Sequence, residues 1–490
     1  MMKKTFLTLA LVIAATVAMA QPRPKLIVGI AVDQMRWDYL YRFYDEYGNG
    51  GFKRMLNEGY SFENCQINYI PSVTAVGHTS IYTGSVPSIH GIAGNSFIKD
   101  GKYVYCCTDT TVQTVGSSTT NGQRSPINLL TTTIGDELKT ATNWKARVVG
   151  VSYKDRAAIL PAGQSADAAY WFDAKAKCFI TSTYYREDLP QWVRDYNATI
   201  DTSRDINDIQ YDPYGNLIVK DMAKQAIDGE QLGQRDQTDM LCMSFSCPDI
   251  TGHKFGTHNE KTHRQYVELD KQLADFFDFL DRKVGKGQWL AFLTADHGAA
   301  NSVVQNQAHK IKAGGFFLDQ EEPALNNYLK GKFGIDKLSW RIMDNKVVLN
   351  RQAISDAGLD LQAVKAAVME YYGKHPAVQY VADLENATQA VIPTYIREKM
   401  INGYNRERSG DVQLIFKAGW YIAWRDIGEG TTHAQWNPYD CHIPFLLLGW
   451  GVHHGIYNHE VHITDIAPTV CSIVHLQMPS GCIGQGVYEP

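Results

Sequence analysis

The sequence predicts an α/β fold with a mostly parallel central sheet that is flanked by helices and carries inserted cap elements. The first observation is that short, continuous apolar runs recur along the chain and that three of them lead into an aspartate. Such runs are typical of strands that are buried on both faces of a parallel sheet. The second observation is that amphipathic helical patterns lie between the runs, as parallel strand connections require.

The expected core strands lie at 25–33, 147–152, 240–247, 289–296 and 443–448. The clearest helix is predicted over 266–280, where one face is apolar and the opposite face is charged. Ligands of such folds bind beyond the carboxyl ends of the strands. The polar residues that follow the predicted strands are therefore the first candidates for a functional site.

Three regions interrupt the alternation of strands and helices. Residues at about 100–130 are rich in Ser, Thr and Gly, and those at about 165–225 are aromatic and polar. Residues at about 315–405 contain an apolar strand (345–349), a helix (361–372) and another strand (378–381). We expect one catalytic domain over residues 21–490, with these three regions as insertions.

Residues 1–20 have the pattern of a cleavable signal peptide. Lys3 and Lys4 precede an apolar run over 6–17, and Ala18-Met-Ala20 gives a small-x-small cleavage site before Gln21. The run is too short to span a bilayer comfortably, which argues against a permanent anchor. We therefore expect a periplasmic or secreted protein that leaves the membrane after cleavage between Ala20 and Gln21.

The predicted mature chain is acidic. Removal of Lys3 and Lys4 leaves 45 (47 − 2) basic against 52 acidic residues, a formal charge of −7. This balance argues against a nucleic-acid-binding surface, which would be basic. An anionic ligand would have to be held by metal ions or by a few local Lys and Arg side chains. We expect the mature chain to be a monomer.

The stretch Pro71-Ser-Val-Thr-Ala-Val-Gly-His-Thr79 predicts a turn followed by a helix over 75–82. Thr74 stands immediately before this helix. Its hydroxyl could cap the helix, which is the simpler interpretation when the stretch is taken alone. A helix start also attracts anions, so the same hydroxyl is well placed to meet a phosphate.

Acidic and histidine side chains recur after the predicted strands. They are Asp33, the pair Asp249 and His253 one helical turn apart, the adjacent pair Asp296 and His297, and His433 in a tight loop. Taken singly, each is better explained as a helix cap, a turn or a core histidine. Together, these oxygen and nitrogen ligands predict a metal centre, and they suit Zn²⁺.

The whole set of motifs resembles the alkaline phosphatase superfamily, and most closely the exported PafA-type alkaline phosphatases that use a threonine nucleophile. The matching stretches occur in the order in which that family has them. They are 32–36, 71–78, 84–91, 94–95, 154–156, 249–253, 295–298 and 430–433.

The resemblance implies two Zn²⁺ ions. One would be held by Asp249, His253 and His433, and the other by Asp33, Asp296, His297 and the oxygen of Thr74. It also implies that Thr74 attacks phosphorus and forms a phosphothreonine intermediate, because a bound metal lowers the pKa of a hydroxyl.

Ser72 is the competing nucleophile, since it is a hydroxyl two residues away. Thr74 is preferred because the family's nucleophile lies four residues before the matching histidine, His78. We expect His78, and likewise His90 and His442, to be structural.

Asn95, Lys154 and Arg156 match the family's ligands for the non-bridging phosphate oxygens. In an extended segment, Lys154 and Arg156 would project to the same side, with Asp155 turned away. Two cations and an amide favour a phosphate monoester dianion over a diester. Taken alone, Lys-Asp-Arg is better explained as a surface salt bridge.

The resemblance therefore predicts a metal-dependent phosphatase that hydrolyses phosphate monoesters. The main alternative is a phosphodiesterase or nucleotide pyrophosphatase on the same two-zinc scaffold. A sulfatase would need a Cys or Ser in a C/S-x-P-x-R context, which Cys247-Pro-Asp-Ile-Thr251 does not provide. A non-catalytic metal-binding or phosphate-scavenging protein is the alternative from another class.

Overall fold

The computed structural model describes residues 23–99, 101–423 and 427–489. The predicted signal peptide and its cleavage site lie outside the described residues. Within the described ranges, no helix combines the length and the apolar character that crossing a membrane would need.

The strands of the described residues are numbered in chain order. They are β1 (Leu26–Val32), β2 (Tyr60–Gln66), β3 (Ser96–Lys99), β4 (Lys102–Tyr105), β5 (Thr114–Val115), β6 (Val148–Ser152), β7 (Ala168–Asp173), β8 (Cys178–Ser182), β9 (Asp239–Phe245), β10 (Trp289–Thr294), β11 (Gly314–Phe317), β12 (Ser339–Met343), β13 (Lys346–Leu349), β14 (Val378–Asp383), β15 (Val412–Phe416), β16 (Trp420–Ala423), β17 (His442–Gly449), β18 (Gly455–Tyr457) and β19 (Val461–His462).

The α-helices of the same residues are numbered likewise. They are α1 (Tyr39–Arg42), α2 (Phe52–Glu58), α3 (Thr74–Thr83), α4 (Pro87–His90), α5 (Ile134–Ala141), α6 (Asp155–Ala162), α7 (Gln191–Asn197), α8 (Ile206–Gln210), α9 (Tyr214–Gly229), α10 (Cys247–Phe255), α11 (Glu260–Leu280), α12 (Val303–Ala308), α13 (Leu318–Phe333), α14 (Arg351–Asp356), α15 (Leu361–Tyr372), α16 (Thr394–Gly403), α17 (Pro438–Cys441) and α18 (Ile466–Ile473).

The central sheet has 11 strands in the order β18-β2-β17-β10-β1-β9-β6-β7-β8-β5, with β19 paired to β2. Its middle strands, from β10 through β1, β9 and β6 to β7, are parallel. Towards the two edges, β17 and β8 run antiparallel to their neighbours. This architecture confirms the predicted α/β fold with a mostly parallel sheet.

The middle strands form because their sequences are apolar on both faces. All seven residues of β1 and all six of β10 are buried, as expected for strands covered by helices on both sides. The predicted core strands correspond to β1, β6, β9, β10 and β17. The helix predicted over 266–280 is the C-terminal part of α11, which starts earlier because the Asn259 side chain caps its first turn.

A second sheet, in the order β12-β13-β15-β14, lies in the region predicted as the insertion at 315–405. Helices α13 and α15 pack on it, and together they bury a separate cluster of apolar side chains. We call residues 314–416 the cap. The cap sheet extends past residue 405, because β15 pairs with both β13 and β14.

Part of the region predicted as an insertion at 165–225 belongs to the central sheet, because strands β7 and β8 are two of its strands. Tyr170, Trp171 and Phe172 are buried, so these aromatic residues fill the core. Aromatic composition was therefore wrong as a sign of a cap, because the same residues also favour strands.

Candidate active site

The candidate site lies where four neighbouring parallel strands end. Asp33 follows β1, Asp296 lies two residues after β10, Asp249 lies in α10 just after β9, and Lys154 follows β6. Because these strands are adjacent and point the same way, their carboxyl ends bring the four side chains to one edge of the sheet.

All six predicted metal ligands gather at this edge. The structure groups Asp249 with His297 and His433, and Asp33 with Asp296 and His297, with ligand atoms within 4.8 Å of one another in each group. His253 adjoins the first group, since its Nε2 lies 3.2 Å from Asp249 Oδ1. His297 thus lies between the two groups, whereas the family pattern assigns it to one of them.

The three histidines present the same nitrogen to the centre. The Nδ1 atoms of His253, His297 and His433 donate to the carbonyl oxygens of Thr431 (2.9 Å), Gly298 (2.9 Å) and Ser72 (2.7 Å), respectively. A carbonyl can only accept, so each Nδ1 carries the hydrogen and each Nε2 keeps its lone pair. This is the arrangement of histidines that ligate metals.

Burial helps to keep two of these imidazoles neutral. It lowers the pKa of His297, and burial together with the stacked His297 ring lowers the pKa of His433 well below its ordinary value. The His253 side chain is 40% exposed, and the neighbouring Asp249 carboxylate raises its pKa. Metal binding requires the neutral form, so His297 and His433 need no deprotonation near pH 7.

The carboxylates carry more negative charge than the protein neutralises at this point. Burial raises the pKa of Asp33, and Asp249 and Asp296 raise it further. Lys154 Nζ lies 2.6 Å from both Asp33 Oδ2 and Asp249 Oδ2. One ammonium group therefore pairs with two buried carboxylates, and the third, Asp296, has His78 Nδ1 at 3.2 Å from its Oδ2. Burying charge that is not fully paired is costly.

Two buried acceptors also face each other across the centre. Asp33 Oδ1 and His297 Nε2 are 3.5 Å apart, and neither has a hydrogen-bond partner among the described residues. A divalent cation would satisfy both atoms and offset the excess negative charge. The oxygen and nitrogen donors present are those that Zn²⁺ accepts, so these residues fit a metal centre.

Thr74 is the first residue of α3, and it does not cap the helix. The N-cap is Val73, which makes no side-chain cap, and the Ala75 N–H instead donates to Asn95 Oδ1 at 2.9 Å. The capping interpretation of Thr74 is therefore wrong. Its hydroxyl forms no hydrogen bond within the described residues and borders a cavity of about 440 Å³.

The same cavity is lined by Asn95, Lys154, Arg156 and the metal-ligand candidates Asp249, His253 and His433. A larger cavity of about 840 Å³ lies beside the cap, where Trp340 and Arg351 line it. It contains none of the metal-ligand candidates, so chemistry and not size identifies the site.

Ser72 and His78 form hydrogen bonds within the protein beside the site. The Ser72 hydroxyl donates to the Gln435 carbonyl at 2.9 Å and is fully buried, so it is not directed at the cavity. His78 uses both ring nitrogens, on the Thr74 carbonyl and the Ser244 hydroxyl.

His90 likewise uses both ring nitrogens, because its Nε2 bonds the Ser80 hydroxyl and its Nδ1 accepts from the Ile92 N–H. His442 Nε2 donates to the Glu63 carbonyl at 2.8 Å.

Lys154 and Arg156 both reach the cavity, but not from an extended segment as predicted. Helix α6 begins at Asp155, so Arg156 lies in its first turn and Lys154 is the N-cap. Asp155 turns away to the Tyr105 hydroxyl and Arg124. The surface salt bridge is also not formed, because Lys154 bonds Asp33 and Asp249 instead of Asp155.

Two further residues, Tyr105 and Gln34, contact predicted site residues without being predicted themselves. The Tyr105 hydroxyl accepts a hydrogen bond from Arg156 Nη1 at 3.3 Å. Gln34 contacts carboxylates of both metal-ligand groups. Neither residue type stands out in a sequence, although Gln34 immediately follows the predicted ligand Asp33.

A hydroxyl, a cluster of metal ligands and cationic side chains around one cavity place the protein among metal-dependent hydrolases of phosphate esters. The chain belongs to the type I phosphodiesterase / nucleotide pyrophosphatase family, whose profile matches residues 27–440.

Two relatives are similar over nearly the whole chain. Alkaline phosphatase PafA of Elizabethkingia meningoseptica is 46% identical, covering 96% of this chain and 95% of the relative. Alkaline phosphatase PhoV of Synechococcus elongatus is 43% identical, covering 95% and 93%. The crystal structure of wild-type alkaline phosphatase PafA superposes with a TM-score of 0.92 at 45% identity, covering 96% of this chain and 99% of that one. These comparisons confirm the resemblance found in the sequence.

Proposed function

We propose that the protein is a divalent-metal-dependent alkaline phosphatase that hydrolyses phosphate monoesters to an alcohol and inorganic phosphate. Relatives that are 46% and 43% identical and bear the name alkaline phosphatase support this reaction. The observation that carries the proposal is the position of Thr74. Its hydroxyl, which has no hydrogen-bond partner among the described residues, stands at the start of α3, and Thr74 lines one cavity with Asp249, His253 and His433.

The proposal includes two Zn²⁺ ions. Asp249, His253 and His433 would hold one, and Asp33, Asp296, His297 and the Thr74 oxygen would hold the other. When bound, such ions lower the pKa of a hydroxyl and stabilise the oxygens that enter and leave phosphorus. The structure places His297 near both groups, so it does not select one ion. The assignment of His297 to one ion is therefore taken from the family pattern.

Thr74 acts as the nucleophile in this proposal. Its Oγ1 forms a bond to phosphorus while the bond to the alcohol oxygen breaks, and the alcohol leaves with that electron pair and a proton. Water then attacks the phosphothreonine, releases inorganic phosphate and restores the hydroxyl. The start of α3 carries the partial positive charge of a helix N-terminus, which favours the negative charge of the phosphoryl group.

Asn95, Lys154 and Arg156 would bind the non-bridging oxygens. Because Asn95 Oδ1 accepts from the Ala75 N–H, its amino group is left to face a ligand in the cavity that it lines. The Asn95 amino group and the cationic side chains of Lys154 and Arg156 together offer hydrogen-bond donors to a phosphate dianion. This arrangement favours monoesters over diesters. The phosphodiesterase alternative keeps the same metal centre and differs in this preference.

Substitution of the nucleophile tests the proposal. We expect Thr74→Ala to abolish trapping of a phosphoenzyme from p-nitrophenyl phosphate and to lower kcat by at least about 1,000-fold, because the covalent route is lost. Elemental analysis should show that the variant keeps most of its bound zinc, since the other candidate ligands remain.

Ser72→Ala is the matched control, and it should still form the phosphoenzyme. A phosphoenzyme in Thr74→Ala that disappears in Ser72→Ala would assign the nucleophile to Ser72. Wild-type activity that survives complete removal of metal by a chelator would refute the metal-dependent mechanism.

Export and a monomeric state are also part of the proposal. The charged start, the apolar run and the cleavage pattern of residues 1–20 support export to the periplasm or the medium. We expect the exported protein to begin at Gln21 on N-terminal sequencing and to have a monomer mass by light scattering. A mature protein that retains residues 1–20 would contradict cleavage of a signal peptide, and a dimer mass would contradict the monomeric state.

A further inference from the structure

Gln34 links the two metal-ligand groups. Its side-chain Nε2 lies 2.6 Å from Asp249 Oδ1, and its backbone N–H donates to Asp296 Oδ1 at 3.1 Å. A carboxylate can only accept, so the amide nitrogen and not the amide oxygen faces Asp249. One residue therefore holds a carboxylate of each group.

The local structure is built around this side chain. Gln34 has a φ of 66°, in the left-handed region that residues with side chains rarely adopt. This conformation turns the chain sharply after β1, so that the backbone N–H and the side chain of one residue can reach different carboxylates. Gln34 is 3% exposed, so the arrangement is sheltered from water.

Gly252 provides the space that the amide occupies. A Cβ placed on Gly252 would lie 1.9 Å from Gln34 Oε1, so any other residue there would displace the amide. Gly252 lies in α10 between Asp249 and His253. The glycine in Asp249-Ile-Thr-Gly-His253 is thus explained by the close approach of Gln34 to the helix.

The two hydrogen bonds hold Oδ1 of each carboxylate in place. Asp296 Oδ1 accepts from the backbone N–H groups of Gln34 and His297, and Oδ2 is left to face His78 Nδ1 (3.2 Å) and His297 Nε2 (3.4 Å). In Asp249, the oxygen that Gln34 holds is itself the one that faces His253 Nε2 (3.2 Å) and His433 Nε2 (3.7 Å), while Lys154 contacts Oδ2.

We propose that Gln34 is a positioning residue that orients Asp249 and Asp296 and thereby sets the affinity of the two metal sites. The inference rests on the proposed metal-dependent function. The side chain serves the Asp249 site and the backbone N–H serves the Asp296 site. Substitution of the side chain should consequently weaken the first site and spare the second.

The test is zinc retention by Gln34→Met, which keeps the size of the side chain and removes the donor. Loss of such a hydrogen bond to a metal ligand costs about 10- to 100-fold in metal affinity. Titration with a competing chelator, followed by elemental analysis, should show one zinc released at a chelator concentration lower by that factor. The second zinc should be released as in the wild type.

Gln272→Met is the matched control. Gln272 is also buried, and its Nε2 donates to the Pro213 carbonyl at 3.1 Å, away from the metal ligands. This variant should release both zinc ions as the wild type does. Thermal unfolding of the metal-free proteins shows whether Gln34→Met and Gln272→Met differ in stability before metal is added.

The inference would be overturned if Gln34→Met released both zinc ions at the same chelator concentrations as the wild type. It would also be overturned if the affinities of both sites fell by the same factor. A wild-type protein that binds no zinc in the same titration would instead refute the proposed metal-dependent function.

Discussion

At the scale of single residues, the site depends on which atom of each side chain is left free. His253, His297 and His433 each use Nδ1 on a backbone carbonyl, so all three direct Nε2 towards the carboxylates. Asn95 likewise uses its oxygen on the Ala75 N–H and keeps its amino group for a ligand. The backbone thus selects the free atom of each candidate ligand.

The choice of substrate is predicted to depend on Lys154 and Arg156. We expect the double substitution Lys154→Ala/Arg156→Ala to reduce kcat/KM for a phosphate monoester by about 100- to 10,000-fold, because each charge-assisted hydrogen bond contributes about 1.5–3 kcal/mol. The loss for a diester should be far smaller, since a diester has fewer charged oxygens to bind. Parallel kinetics on p-nitrophenyl phosphate and bis-p-nitrophenyl phosphate measure the difference.

Lys254→Ala is a useful control for this comparison, because Lys254 lines the same cavity and is exposed. It should change both rates by the same factor. Equal losses on both substrates in the double variant would remove the basis for the monoester preference and favour the phosphodiesterase alternative.

Much of the residue-level prediction came from motifs that place chemistry at strand ends. The six predicted metal ligands are together in the structure, which short-range spacing and the family pattern could indicate. The hydrogen bond from the Ala75 N–H to Asn95 could not be read from sequence, because the two residues are 20 apart and their contact depends on the path of the chain between them. Gln34 was missed for a similar reason, since its partner Asp249 is 215 residues away.

At the scale of secondary structure elements, the middle of the fold was the most predictable part. Apolar runs such as β1 and β10 are buried on both faces, so their sequence alone specifies a central strand. Segments whose composition fits more than one environment were predicted less well. The aromatic and polar composition at 165–225 predicts an insertion, although the aromatic residues of β7 lie in the core of the central sheet.

Helix boundaries show a second limit of sequence analysis. The sequence predicts an extended segment for Lys154 and Arg156, but α6 begins at Asp155. Both side chains nevertheless reach the cavity, because the N-cap and the second residue of a helix can point to the same side of its start. The shared position of the two side chains at the cavity therefore does not depend on the extended conformation that the sequence predicts.

At the scale of the whole molecule, we propose that the cap is an insertion that holds the loops of the catalytic site. Side chains of the cap donate to backbone carbonyls beside three such loops. The pairs are Asn345 with Ala434 (2.6 Å), Asn402 with Asn68 (2.8 Å) and Arg408 with Gly91 (2.6 Å). These loops lead to His433, Thr74 and Asn95, so the cap contacts all three parts of the site.

The strongest of these links to test is Asn345. Its side chain reaches the carbonyl of Ala434, the residue after His433, from the left-handed turn between β12 and β13. We expect Asn345→Gly, which keeps that backbone conformation, to lower kcat/KM for monoesters by about 10-fold through loss of support for His433. Asn326→Gly is the control, because Asn326 bonds Ser339 within the cap. It should lower the melting temperature while leaving kcat/KM unchanged, and equal catalytic losses in both variants would show that only cap stability matters.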